Sequence, residues 1–134
     1  MIWQDVSSFF IGLLLAVVVH EAGHAIALRF FLKRPVKVTL VKRRRFSFAF
    51  KAGRPEDYAQ LSPSQKYDVY LAGVGAGAVL VGVFAVWFPV SFVFLLLVAY
   101  LIGSRHDFEL MFVQLESIKK MERDANAGEN SSDK

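Results

Sequence analysis

The chain contains no cysteine, which excludes a disulfide frame and any thiolate ligand, so a metal ion here must be held by His, Asp or Glu. Acidic residues are missing from Lys33 to Arg54, a stretch that carries nine Lys and Arg. Positive charge is in turn missing from Met1 to Asp5, so the apolar run that follows lacks the basic leader of a signal peptide and is read as retained. What is abundant is apolar surface. With 134 residues, 54% of them hydrophobic and 14% aromatic, and a mean hydropathy of +0.39, the chain is too apolar for a soluble domain of this length. A protein of the lipid bilayer is the expectation.

Val6 to Leu32 is almost wholly apolar, and about 20 helical residues suffice to cross the hydrocarbon core. In the basic segment that follows, Val36, Val38 and Leu40 alternate with other residues, as do Phe46, Phe48 and Phe50, around Lys42-Arg43-Arg44-Arg45. This period predicts a β-hairpin over 36–51 with a cationic turn, its aromatic edge on the membrane surface. The arginine run is assigned to headgroups or water and not to nucleic acid. Pro55 can open a short helical turn, and Ser62-Pro63-Ser64-Gln65 has the form of a capping box. A second spanning helix is expected over about 64–88, Pro89 makes a hairpin, and a third covers 90–103. A partly amphipathic helix follows over 108–123, and the polar tail 124–134 reads as disordered. Residues 1–123 thus form a single membrane-embedded domain. The fold class expected is membrane all-α, with three transmembrane helices and a small interfacial β-hairpin. Basic residues after the first and third helices place the N-terminus outside and the hairpin and C-terminus in the cytoplasm.

His20-Glu21-Ala22-Gly23-His24 matches H-E-x-x-H. On a helix the i, i+4 spacing brings both imidazoles to one face, where they can hold one Zn²⁺, with Glu21 placed as general base toward water that the zinc acidifies. Ionisable side chains in the middle of a lipid-compatible helix cost several kcal/mol unless paired or functional, roughly the cost of a charged residue at the bilayer centre. The bland alternative is a buried polar network that only packs helices. A third ligand is required, and Asp107 is the first choice, with His106 as the alternative. Gly73-x-x-x-Gly77 offers plain close helix packing, or a face that packs against the histidine-bearing helix or lines a substrate passage. An exposed hairpin edge could hold an unwound substrate segment by strand addition.

This order of residues resembles the site-2 protease family of intramembrane zinc metalloproteases over about Val6 to Phe108. The shared order is a membrane helix with His20-Glu21-x-x-His24, a membrane-associated hairpin, a helix rich in small residues, and an acidic ligand after the third helix. The resemblance implies zinc on His20, His24 and Asp107, Glu21 as the catalytic base, and a membrane-protein substrate cut in or near its transmembrane segment. Gly73-Val74-Gly75-Ala76-Gly77 lacks the Pro and Asn of the family's Gly-Pro-x-x-Asn element, and Phe108 follows Asp107 where the family usually has Gly. A catalytically inactive zinc-binding membrane adaptor and a metal-free assembly factor stay open as other readings. So does association with a second copy or a regulatory membrane partner.

Overall fold

The structure is a computed structural model and describes residues 2–44 and 47–132. Helix α1 (Ile2–Leu32) forms because its long apolar run contains no proline. It ends where Lys33 turns into the left-handed region at φ 53 and its N–H returns to the Arg29 carbonyl, just ahead of Pro35. Strands β1 (Val38–Arg44) and β2 (Ser47–Ala52) pair antiparallel, Val38 opposite Ala52 and Leu40 opposite Phe50. The hairpin expected from alternation is present, with an irregular register between Lys42 and Arg44; Arg45 and Phe46 lie outside the described residues. Gly53, at φ 69, turns the chain out of β2, and its N–H bonds the Lys37 carbonyl.

A short helix α2 (Pro55–Ala59) leads into α3 (Pro63–Phe84). The capping box at the start of α3 is formed: Gln65 N–H donates to Ser62 Oγ while Ser62 N–H donates to the Gln65 side chain. α3 stops at Phe84, short of the expected residue 88, because the chain passes through a turn before Pro89 caps α4 (Val90–Gly103). The last helix, α5 (Arg105–Ser132), begins earlier than expected and continues through the polar segment that composition reads as disordered. Once a helix is nucleated, each further residue adds a hydrogen bond at little cost, so a polar tail can extend it.

Among the described residues, α1 from Val6 to Leu32 and all of α3 are long and apolar enough to cross a membrane. α4 is not, alone. Its 14 residues extend about 21 Å against a hydrocarbon core of about 30 Å. It qualifies only together with α5, from which it is bent by 56° at Ser104, giving two such crossings, or three if the bent pair counts as one. Two apolar clusters hold the bundle together. Ala16, Val81, Leu96 and Tyr100 form one, and Leu28, Ala52, Leu61 and Val69 the other. His20 and His24 fall between them along α1.

Candidate metal centre

On α1 the two imidazoles share one face and are almost fully enclosed, His20 at 5% and His24 at 3% exposure. The bend at Ser104 brings the first turn of α5 over them, and Asp107 Oδ2 lies 2.7 Å from His20 Nε2 and 3.6 Å from His24 Nε2. The two Nε2 atoms are 3.0 Å apart. His20, His24 and Asp107 therefore form a compact group that could hold a metal ion. At metal–ligand bonds of about 2.0–2.1 Å, tetrahedral ligand atoms lie roughly 3.3 Å from one another. The three separations bracket that spacing.

The partners of the opposite ring nitrogens determine what the cluster presents. His24 Nδ1 lies 2.8 Å from the Val69 carbonyl, which can only accept, so Nδ1 carries the proton and the neutral ring keeps a lone pair on Nε2. His20 Nδ1 is 2.8 Å from the Tyr100 hydroxyl. That hydroxyl has a single proton, which it donates to the Val74 carbonyl at 2.8 Å, so its oxygen is left to accept from His20 Nδ1–H. Both Nε2 atoms then face Asp107 as acceptors. The contact between them is a hydrogen bond only if one ring carries a second proton. Three acceptors converging in a buried space need a cation among them, a proton or a metal ion.

Close packing of α3 makes the enclosure. A Cβ at Gly73 would overlap the His24 ring, and one at Gly77 would overlap the Tyr100 ring and hydroxyl. At Gly23 it would meet the Ala72 carbonyl oxygen at 2.5 Å and Ala76 Cβ at 2.9 Å, so α1 and α3 touch backbone to backbone there. Within Gly73-x-x-x-Gly77, Gly73 packs against His24 of the histidine-bearing helix and Gly77 against Tyr100 of α4, so the glycines accommodate side chains instead of a facing glycine.

Glu21, next to the first histidine, is only partly buried, and its Oε2 accepts the Ala52 N–H at 2.8 Å. The Ala52 carbonyl in turn accepts from the Tyr58 hydroxyl at 3.3 Å. Burial, with Tyr70 and the Glu21 carboxylate nearby, pushes the Tyr58 hydroxyl well above its ordinary range, so it stays protonated as that donor. Tyr58 stacks on Tyr70, whose ring meets His24 edge to face, which closes the cluster on the hairpin side.

His106 takes no part. Its side chain is 66% exposed and its Nδ1 lies 3.8 Å from Glu109 Oε2, beside the Arg105–Glu109 pair. Neighbours in a helix differ by about 100° in direction, so α5 can turn only one of residues 106 and 107 inward. Sequence reasoning did not name Tyr100, the Val69 carbonyl or the Ala52 amide. The available signal for Tyr100 was its place two helical turns before Asp107. Comparison with family models, with curated proteins and with solved structures finds no match for this chain.

Proposed function

We propose that the chain is a membrane-embedded zinc metallopeptidase, as its resemblance to the site-2 protease family implies, which hydrolyses a peptide bond in or near a transmembrane segment of another membrane protein. The observation that carries this reading is the convergence of His20 Nε2, His24 Nε2 and Asp107 Oδ2, with both imidazoles turned by their Nδ1 partners to offer lone pairs. Three protein ligands of this type are the number a catalytic zinc site uses. Zinc supplies a Lewis acid for a peptide carbonyl and brings the ionisation of water near neutrality. Glu21 would take up the proton released, its carboxylate oriented by the Ala52 amide. In this reading α1, α3 and the bent α4–α5 pair cross the bilayer, with the N-terminus outside and the hairpin and C-terminus in the cytoplasm, as the basic residues favour. The hairpin rests at the membrane surface, and its outer edge offers backbone groups to an extended substrate. Hairpin variants that bind and cut substrate normally would count against that last role.

Elemental mass spectrometry on detergent-purified protein tests the reading. The wild type should carry about one zinc per chain, His24→Ala should lose it, Asp107→Ala should hold it weakly, and His106→Ala should keep it. Glu21→Gln should retain zinc and abolish cleavage. A wild type without zinc would overturn the proposal in favour of a metal-free assembly factor. Function preserved in Glu21→Gln would instead indicate a zinc-binding adaptor.

A further inference from the structure

We propose that Tyr100 is a positioning residue for this centre: its hydroxyl oxygen accepts the His20 Nδ1 proton and thereby fixes which ring nitrogen, and at what angle, His20 presents to the metal. The inference rests on the metal reading above and extends it to α4, a helix with no ligand of its own. Tyr100 is 2% exposed, its hydroxyl is 2.8 Å from His20 Nδ1, and the two rings meet edge to face at 5.8 Å. The hydroxyl's single proton goes to the Val74 carbonyl at 2.8 Å, with the Gly73 carbonyl farther away at 3.4 Å, which leaves its oxygen to accept from His20. Gly77 leaves the space that the ring fills, so α3 supplies both the hydrogen-bond acceptor and the room.

The choice of a phenol is explained by charge. Metal-bound histidines commonly donate their second N–H to a carboxylate or a carbonyl, which fixes the tautomer and ring orientation. A carboxylate here would place a second buried negative charge close to Asp107 at a depth where ionised groups are costly. A tyrosine hydroxyl offers an acceptor with no charge. His24 follows the same logic by donating to the neutral Val69 carbonyl. Both imidazoles are thus oriented by uncharged oxygens, and Asp107 remains the only carboxylate of the metal-ion group.

The test compares the full-length wild type with Tyr100→Phe in detergent micelles, reading zinc affinity by chelator competition and the His20 imidazole N–H by nitrogen-15 NMR on histidine-labelled protein. Tyr100→Phe should weaken zinc binding by about 10- to 100-fold. The zinc-loaded wild type should show a slowly exchanging, downfield His20 Nδ1–H that the variant lacks, a signature that a purely packing role would not move. Gly77→Ala, which crowds the same hydroxyl, should lower zinc affinity in the same direction. Equal zinc affinity in wild type and Tyr100→Phe would overturn this inference and leave the metal reading standing. Weakened affinity with an unchanged His20 N–H signal would also overturn it, by showing general loosening. If Tyr100→Phe does not fold, the wild type alone decides, because a fast-exchanging His20 Nδ1–H in the folded, zinc-loaded protein contradicts the hydrogen bond. Absence of zinc from the wild type would remove both readings together.

Discussion

Gly73 and Gly77 lie on one face of α3, and Gly75 and Gly82 on another, with identical chemistry and opposite surroundings. A Cβ on either member of the first pair would overlap His24 or Tyr100, whereas on the second pair it would find nothing within 4 Å. Two glycines are thus required by the polar cluster, and two are not required by any packing among the described residues. Small residues in a membrane helix are usually read as a way to bring backbones together. Here two of them make space for an imidazole and a phenol, so the face that looks empty in sequence is the one that is filled.

The largest effect should come from Gly73→Ala, which forces the His24 ring aside. A loss of roughly 1–3 kcal/mol in stability is expected from overpacking, together with loss of bound zinc, read by unfolding in detergent and by metal analysis. Val81→Ala, in the apolar cluster with Ala16, Leu96 and Tyr100, should cost about 2 kcal/mol and leave about one zinc per chain. The smallest effect, of opposite sign, belongs to Gly75→Ala and Gly82→Ala. Each replaces a flexible residue in a helix with the best helix former and should stabilise the protein by about 0.5–1 kcal/mol without touching the metal. If Gly75→Ala were as damaging as Gly73→Ala, the distinction between the two faces would collapse.

The histidine pair was legible in the sequence because its geometry is local: i, i+4 spacing on a helix suffices to put both rings on one face. Asp107 was the first choice as an ionisable residue beside an apolar segment, but setting His106 aside required the phase of α5. That phase is set at Ser104, where the Asp107 and Phe108 amides fold back on the Ser104 carbonyl. Gly103-Ser104 marks a place where a helix can kink, but the 56° angle is not written in the sequence, and for the same reason α4 looked like a complete crossing when it is too short for one. Tyr100 stayed hidden for a different reason. An aromatic residue in an apolar run looks like any other lipid-compatible side chain, and its partner His20 is 80 positions away in the chain. The Val69 carbonyl and the Ala52 amide are backbone groups, which every residue possesses, so sequence cannot single them out.

The bond from the Ala52 amide to Glu21 joins the end of a strand to a residue one step from the first histidine. Binding free energies are reciprocal, so a partner that draws Glu21 Oε2 away from the Ala52 amide binds more weakly by the free energy of that hydrogen bond, and holding the amide in place disfavours that partner by the same amount. The hairpin is therefore thermodynamically informed of what occupies the neighbourhood of Glu21, without any contact between hairpin and ligand. Hydrogen exchange at the single Ala52 amide becomes a gauge of that occupancy, slow while the carboxylate holds it and faster when the carboxylate is engaged elsewhere.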